Sequence, residues 1–168
     1  MKKVIFVSTF LCLNFLGDAF PQRNGKPSLK KIRLSSLQGD RLDLEHMEGK
    51  MVFLNFWATW CKPCVQELPS IQRASEILGE EGFVFLLASD EDPEKIMNYV
   101  FLKGFNMDLM DFVRLDLPFV AAGVESVPTT YLIDRNGNLV MHHVGIKMWD
   151  DSETIAELRE LSNINPED

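Results

Sequence analysis

Cysteine and histidine are scarce in this chain, with three of each in 168 residues. A structural zinc site commonly takes two Cys-x-x-Cys pairs, or one pair and two histidines. Only one such pair is present, Cys61 and Cys64, and the histidines are His46, His142 and His143. The last two are neighbours on an expected strand, so they point to opposite faces and at most one can join the cysteines. The donor set falls short of a zinc or copper site, and neither a metal nor any other cofactor is expected. Basic charge is also in deficit: 17 lysines and arginines against 25 aspartates and glutamates leave −8. Phosphate backbones and anionic lipid surfaces repel such a domain overall, so nucleic acid is a poor partner. No internal repeat or low-complexity tract is visible.

What is present begins with the N-terminus. Lys2 and Lys3 precede an apolar stretch over residues 4–16, interrupted by Ser8, Thr9 and Asn14. Gly17-Asp18-Ala19 then offers small residues at the spacing a signal peptidase reads. The outline is a secretory signal peptide over residues 1–19, too short for a comfortable membrane-spanning helix. The alternative is an uncleaved N-terminal membrane anchor. Lipidation at Cys12 is disfavoured, because Phe10 and Leu11 are too bulky for the usual box. Cleavage would remove Lys2, Lys3 and Asp18, moving the charge from −8 to −9, and would leave Cys61 and Cys64 as the only cysteines. In an exported protein, two cysteines that close together form a redox pair by default.

The rest of the chain reads as one α/β domain over residues 29–168, after a linker at 20–28 that holds two prolines, Asn24 and Gly25. Residues 29–44 alternate loosely around Gln38-Gly39-Asp40, which suggests a hairpin. Residues 51–58 are nearly all apolar, as in a strand buried on both faces. A helix is expected from Cys61 to about Leu78, with Pro63 tolerated in its first turn and Pro69 breaking or kinking it near Glu67. A second apolar strand, 83–88, leads to a helix capped by Asp92, opened by Pro93 and stopped by Gly104. Residues 105–118 are hard to place beyond a short strand at 112–117, and a helical turn follows at 119–122. The strands 129–133 and 138–144 flank an Asn136-Gly137 hairpin turn. A final helix runs from about Asp151 to Leu161, and the last residues, 163–168, are expected to fray.

A disulfide across one helical turn closes a tiny loop and restrains little unfolded-chain entropy, so its structural value is small. Two cysteines at a helix start make better sense as chemistry. The positive helix end stabilises a thiolate, and the first cysteine is expected where it can be exposed.

A strand running into Phe-Trp-Ala-x-Trp-Cys-x-x-Cys and then a helix resembles the thioredoxin superfamily. Gly39, Gly49-Lys50, Asn55-Phe56-Trp57-Ala58-Thr59-Trp60-Cys61, Pro63-Cys64, Glu67-Leu68-Pro69 and Val127-Pro128-Thr129-Thr130 narrow the match. They are similar to the TlpA/ResA branch of exported thiol–disulfide oxidoreductases. The resemblance covers about residues 29–161. It implies a thioredoxin fold, a mixed central sheet flanked by helices, with an N-terminal β-hairpin and a central insertion.

It also implies roles. Cys61 is the attacking thiolate and Cys64 resolves the mixed disulfide. Trp60, Lys62, Pro63, Val127 and Pro128 form the substrate-facing surface, with Trp57 in the core beneath. The resemblance makes Val127-Pro128 a cis bond opposite the cysteines, where the Val127 backbone can pair with an extended peptide; without it the bond would be read as trans. Asn55 stands where ordinary thioredoxins carry a buried acid, and it must find hydrogen-bond partners. Glu67, three residues after Cys64, shares its helix face and is placed to take its proton. The alternative is a solvated surface glutamate.

The expected function is therefore an exported disulfide reductase, periplasmic or otherwise extracytoplasmic, acting as a monomer. Its partners would be disulfide-bearing proteins, apocytochromes c among the family's substrates, and a membrane thiol carrier supplying electrons. A thiol-dependent peroxidase would hold its cysteine in Pro-x-x-x-Thr-x-x-Cys, which the run 55–60 does not match. A non-catalytic binding module has no need of an intact cysteine pair.

Overall fold

The computed structural model describes residues 29–47 and 49–163. The expected signal peptide, linker and most of the tail lie outside them. One seven-stranded mixed sheet runs in the order β2-β1-β5-β4-β3-β6-β7. Its strands are β1 Leu34–Ser36, β2 Arg41–Leu42, β3 Met51–Phe56, β4 Phe83–Ser89, β5 Asp111–Leu115, β6 Thr129–Ile133 and β7 Leu139–Val144. The helices are α1 Lys62–Leu78, α2 Pro93–Lys103, α3 Phe119–Ala122 and α4 Ser152–Asn163. β3, β4 and β5 are parallel to one another. β6 runs antiparallel to β3, β7 to β6 and β1 to β5.

β3 is apolar at every position but Asn55 because it is buried along its whole length, with a parallel neighbour on one side and an antiparallel one on the other. Its alternation sorts the core. Phe53 and, past the strand's end, Trp57 join Leu68, Ile71, Phe85, Trp149 and Leu158 in one cluster. Val52, Leu54 and Phe56 join Leu34, Leu86, Val113, Tyr131 and Ile133 in the other. Asn55 has the parity of Phe53, so the strand's one polar side chain points to the face that α1 covers.

Three boundaries depart from expectation. β3 ends at Phe56, not at residue 58, because the chain turns toward α1 there. In the segment 105–118 the short strand expected at 112–117 is β5, displaced to Asp111–Leu115 and interior to the sheet between β4 and β1. α1 continues unbroken through Pro69. Pro69 lies on the exposed side of the helix, so its ring faces solvent rather than the core. The final hairpin is tied by the Asp134 carboxylate, whose Oδ1 accepts the N–H groups of Asn136 and Asn138 at 2.9 and 2.7 Å.

Candidate active site

Five residues, 57–61, carry the chain from the end of β3 to the start of α1. The Trp57 N–H continues the ladder by donating to the Ala88 carbonyl at 3.0 Å, and the Cys61 N–H donates to Ala58 at 3.1 Å. Cys61 is the N-cap of α1, not its first helical residue: its backbone is extended and its Sγ accepts the Cys64 N–H at 3.2 Å. A cap position needs an acceptor for the free N–H groups of the first turn, and a cysteine sulfur supplies it here. Cys61 and Cys64 are joined as a disulfide with Cα atoms 5.3 Å apart.

The first cysteine is less open than expected. Cys61 is 4% exposed and Cys64 fully buried. The Val127 carbonyl oxygen, 3.6 Å from Cys61 Sγ, helps to cover it. Exposure at this end belongs instead to Trp60, at 66%, and to Lys62 and Pro63. Trp57 is buried against Tyr99 and Phe112, with ring centroids 5.7 and 5.5 Å away.

One turn beyond Cys64, Glu67 is fully buried, which excludes the reading of a solvated surface glutamate. Asn55 Nδ2 donates to Glu67 Oε1 at 2.8 Å and to Thr130 Oγ1 at 2.9 Å. The backbone N–H of Lys147 donates to Glu67 Oε2 at 3.1 Å. Burial pushes the Glu67 carboxyl above the ordinary glutamic-acid range. The hydrogen bonds from Lys147 and Asn55, and more weakly the nearby Trp149 indole N–H, which lacks good hydrogen-bond geometry, pull it back only in part. The partners that Asn55 needed are thus Glu67 and Thr130. Thr130 is its register partner on β6, and side chains paired across a ladder share a face.

The Val127–Pro128 bond is cis. The Pro128 carbonyl accepts the Gly145 N–H at 2.9 Å. From there the loop 145–150 lies along α1: Lys147 N–H on Glu67, Trp149 N–H on Ser70 Oγ at 3.2 Å, and Asp150 on Arg73 at 2.6 Å. Positions 67, 70 and 73 form one helical row, so a single face of α1 holds both Glu67 and the loop after β7 that is bonded to Pro128.

Sequence reading missed Thr130, the Lys147 backbone, and one further contact. Thr59 donates both its N–H and its hydroxyl to the Glu91 carboxylate, at 2.7 and 2.8 Å. Thr130 was reachable in principle, since it falls opposite Asn55 once β3 and β6 are paired. Glu91 carried no signal: in Asp90-Glu91-Asp92 it reads as one more acid ahead of a helix cap.

A paired disulfide at a helix N-terminus, with a buried carboxylate one turn inward and a proline opposite, defines a thioredoxin-fold redox site. Residues 16–159 match the family described as Redoxin. Thiol-disulfide oxidoreductase ResA of Halalkalibacterium halodurans is 32% identical over 133 residues, covering 79% of this chain and 74% of the relative. The protein of the same name from Bacillus cereus is 35% identical over 134 residues, covering 78% and 75%. Among solved structures, the exposed lipoprotein thioredoxin Etrx1 of Streptococcus pneumoniae is 26% identical with a TM-score of 0.61, covering 76% of this chain and 97% of that one. The chain belongs to the Redoxin family, among the ResA-type thiol–disulfide oxidoreductases. No helix among the described residues is long and apolar enough to cross a membrane.

Proposed function

We propose that this enzyme works as an exported protein-disulfide reductase, with Cys61 attacking and Cys64 resolving. In the reduced form the Cys61 thiolate, favoured at the helix N-terminus, attacks one sulfur of a substrate disulfide. A mixed disulfide forms and the first substrate sulfur leaves as a thiolate. Cys64 then gives its proton to Glu67, and its thiolate attacks Cys61 Sγ. The second substrate sulfur leaves, the Cys61–Cys64 disulfide closes, and two electrons have passed to the substrate. Trp60, Lys62 and Pro63 face the incoming protein, and the Val127 backbone pairs with its extended segment.

The observation that carries this reading is Glu67. A carboxylate sealed from solvent one turn from Cys64, and held above its ordinary range, is suited to accept a thiol proton near neutral pH. The direction rests on the Lys62-Pro63 dipeptide, which lacks the histidine that oxidases of the family place there to over-stabilise the thiolate. The couple is expected at the reducing end, below about −200 mV on a scale that runs from roughly −270 mV for thioredoxin to about −120 mV for a strong exported oxidase. An oxidising compartment demands an electron source, and a membrane thiol carrier fits that need. Disulfide-bearing proteins are the substrates, with apocytochromes c as one class.

Equilibration with glutathione or dithiothreitol buffers measures the potential, and a value above about −180 mV would make the protein a disulfide donor instead. With Cys64→Ser, substrates should stay covalently bound to Cys61, and their identification would test the apocytochrome assignment. Mass spectrometry of the exported protein should find the N-terminus cut near Ala19. Full-length chain in the membrane fraction would favour the anchored form.

A further inference from the structure

Thr59 sits between two parts of the site that must stay in place: the turn from β3 and the Cys61 cap. Both of its hydrogen-bond donors end on one carboxylate. Its N–H reaches Glu91 Oε2 at 2.7 Å and its hydroxyl reaches Oε1 at 2.8 Å. Two further donors complete the shell. Lys95 Nζ, one turn along α2, pairs with Oε1, and Ser89 Oγ donates to Oε2 at 3.3 Å. The Glu91 side chain is 7% exposed. Burial is the largest single influence on its acidity and acts to raise its pKa. The bonds from Lys95 and from both donors of Thr59, with the Lys95 charge, outweigh it and hold the carboxyl below the ordinary range.

The place of this contact gives it meaning. Trp57 is tied to β4 through Ala88, and Cys61 is tied to Ala58. Between them Trp60 is 66% exposed, so its orientation follows the turn that carries it. A loose turn here would swing Trp60 and shift Cys61 Sγ away from the end of α1, where thiolate stabilisation falls off within a turn. We propose that Glu91 is a positioning residue of the redox site: by clamping Thr59 it holds Cys61 Sγ at the helix end and Trp60 in its presenting orientation. It touches neither cysteine and acts through Thr59. The inference rests on the reading of Cys61 as the attacking thiol.

The test removes the ion pair as a neutral unit, so that charge does not mask geometry. Glu91→Ala/Lys95→Ala is compared with Glu91→Gln, which keeps one acceptor for Thr59, and with Thr59→Val, which loses only the hydroxyl. Two quantities are read: kcat/KM for insulin-disulfide reduction, and the pH midpoint of Cys61 alkylation in a Cys64→Ser background. The double variant should lose about tenfold in kcat/KM. Its alkylation midpoint should rise by about half a unit or more toward the free-thiol value of roughly 8.5. Glu91→Gln and Thr59→Val should show smaller losses in the same direction. If the double variant does not fold, these two decide alone. Variants that melt earlier but keep the wild-type midpoint and kcat/KM would reduce Glu91 to a structural tie and overturn the proposal. Wild-type protein that leaves insulin intact would instead count against the reductase reading, and the alkylation midpoints would still decide the role of Glu91.

Discussion

A buried glutamate and a half-buried one flank the cysteine turn, and they are driven in opposite directions. Glu67 lies under Cys64 and is pushed above the ordinary range; Glu91 lies beside Thr59 and is held below it. Burial raises both. What separates them is the donors. Glu67 receives N–H groups from an amide side chain and a backbone, both neutral. Glu91 receives an ammonium, two hydroxyls and a backbone N–H. An opposite charge that close favours the ionised carboxylate, and only Glu91 has one. A site that needs one acid to exchange protons and another to stay fixed can therefore build both from the same residue.

The largest test of this contrast is Glu67→Gln, which keeps size and one of the two acceptor oxygens but cannot take a proton. Thiol–disulfide exchange should slow by roughly a hundredfold, and its pH profile should lose or shift one step while the fold is kept. An unchanged profile would leave Glu67 as packing. Next in size is Glu91→Ala, which strands two Thr59 donors and should cost about 2 kcal/mol in urea unfolding at neutral pH. A loss below about 0.5 kcal/mol would mean that water replaces the carboxylate without strain.

The pH dependence of stability should then separate the two acids by sign. Glu67, raised in the folded state, contributes stability that is present below the ordinary glutamic value and lost as pH rises through its raised pKa. Glu91, depressed in the folded state, contributes stability that is present above the ordinary value and lost as pH falls through its lowered pKa. Unfolding free energies measured against pH should lose the first dependence in Glu67→Gln and the second in Glu91→Gln. Curves that move together would end the comparison. The smallest effect is Lys95→Met. Its side chain is half exposed, so the change should cost less than about 1 kcal/mol and move the Glu91 titration upward, readable by NMR.

Much of this was legible in the chain. The apolar run before Cys61, the Pro93 and Gly104 bounds of α2 and the Asn136-Gly137 turn located most elements, because periodicity and turn chemistry are local. Glu67 could be placed on the face of Cys64 by counting three residues, but its burial could not. The row 67, 70 and 73 is closed over by the loop 145–150, about eighty residues away in sequence. Pro69 does not break α1, and that its ring lies on the exposed side was not legible either, for the same reason. β5 was legible only as a short strand at 112–117, with its ends misplaced, because a strand with exposed residues lacks a solid apolar run.

The sequence by itself determined the redox pair, its place at a helix start and the class of fold around it. Spacing along one helix and one strand is enough for those. Only the tertiary structure decided that Cys61 is covered by Val127, that Asn55 bridges Glu67 and Thr130, and that Glu91 clamps Thr59. Each depends on distant segments meeting to within a hydrogen bond. The ionisation of a carboxylate is then set by what meets it there, which no local pattern of residues records.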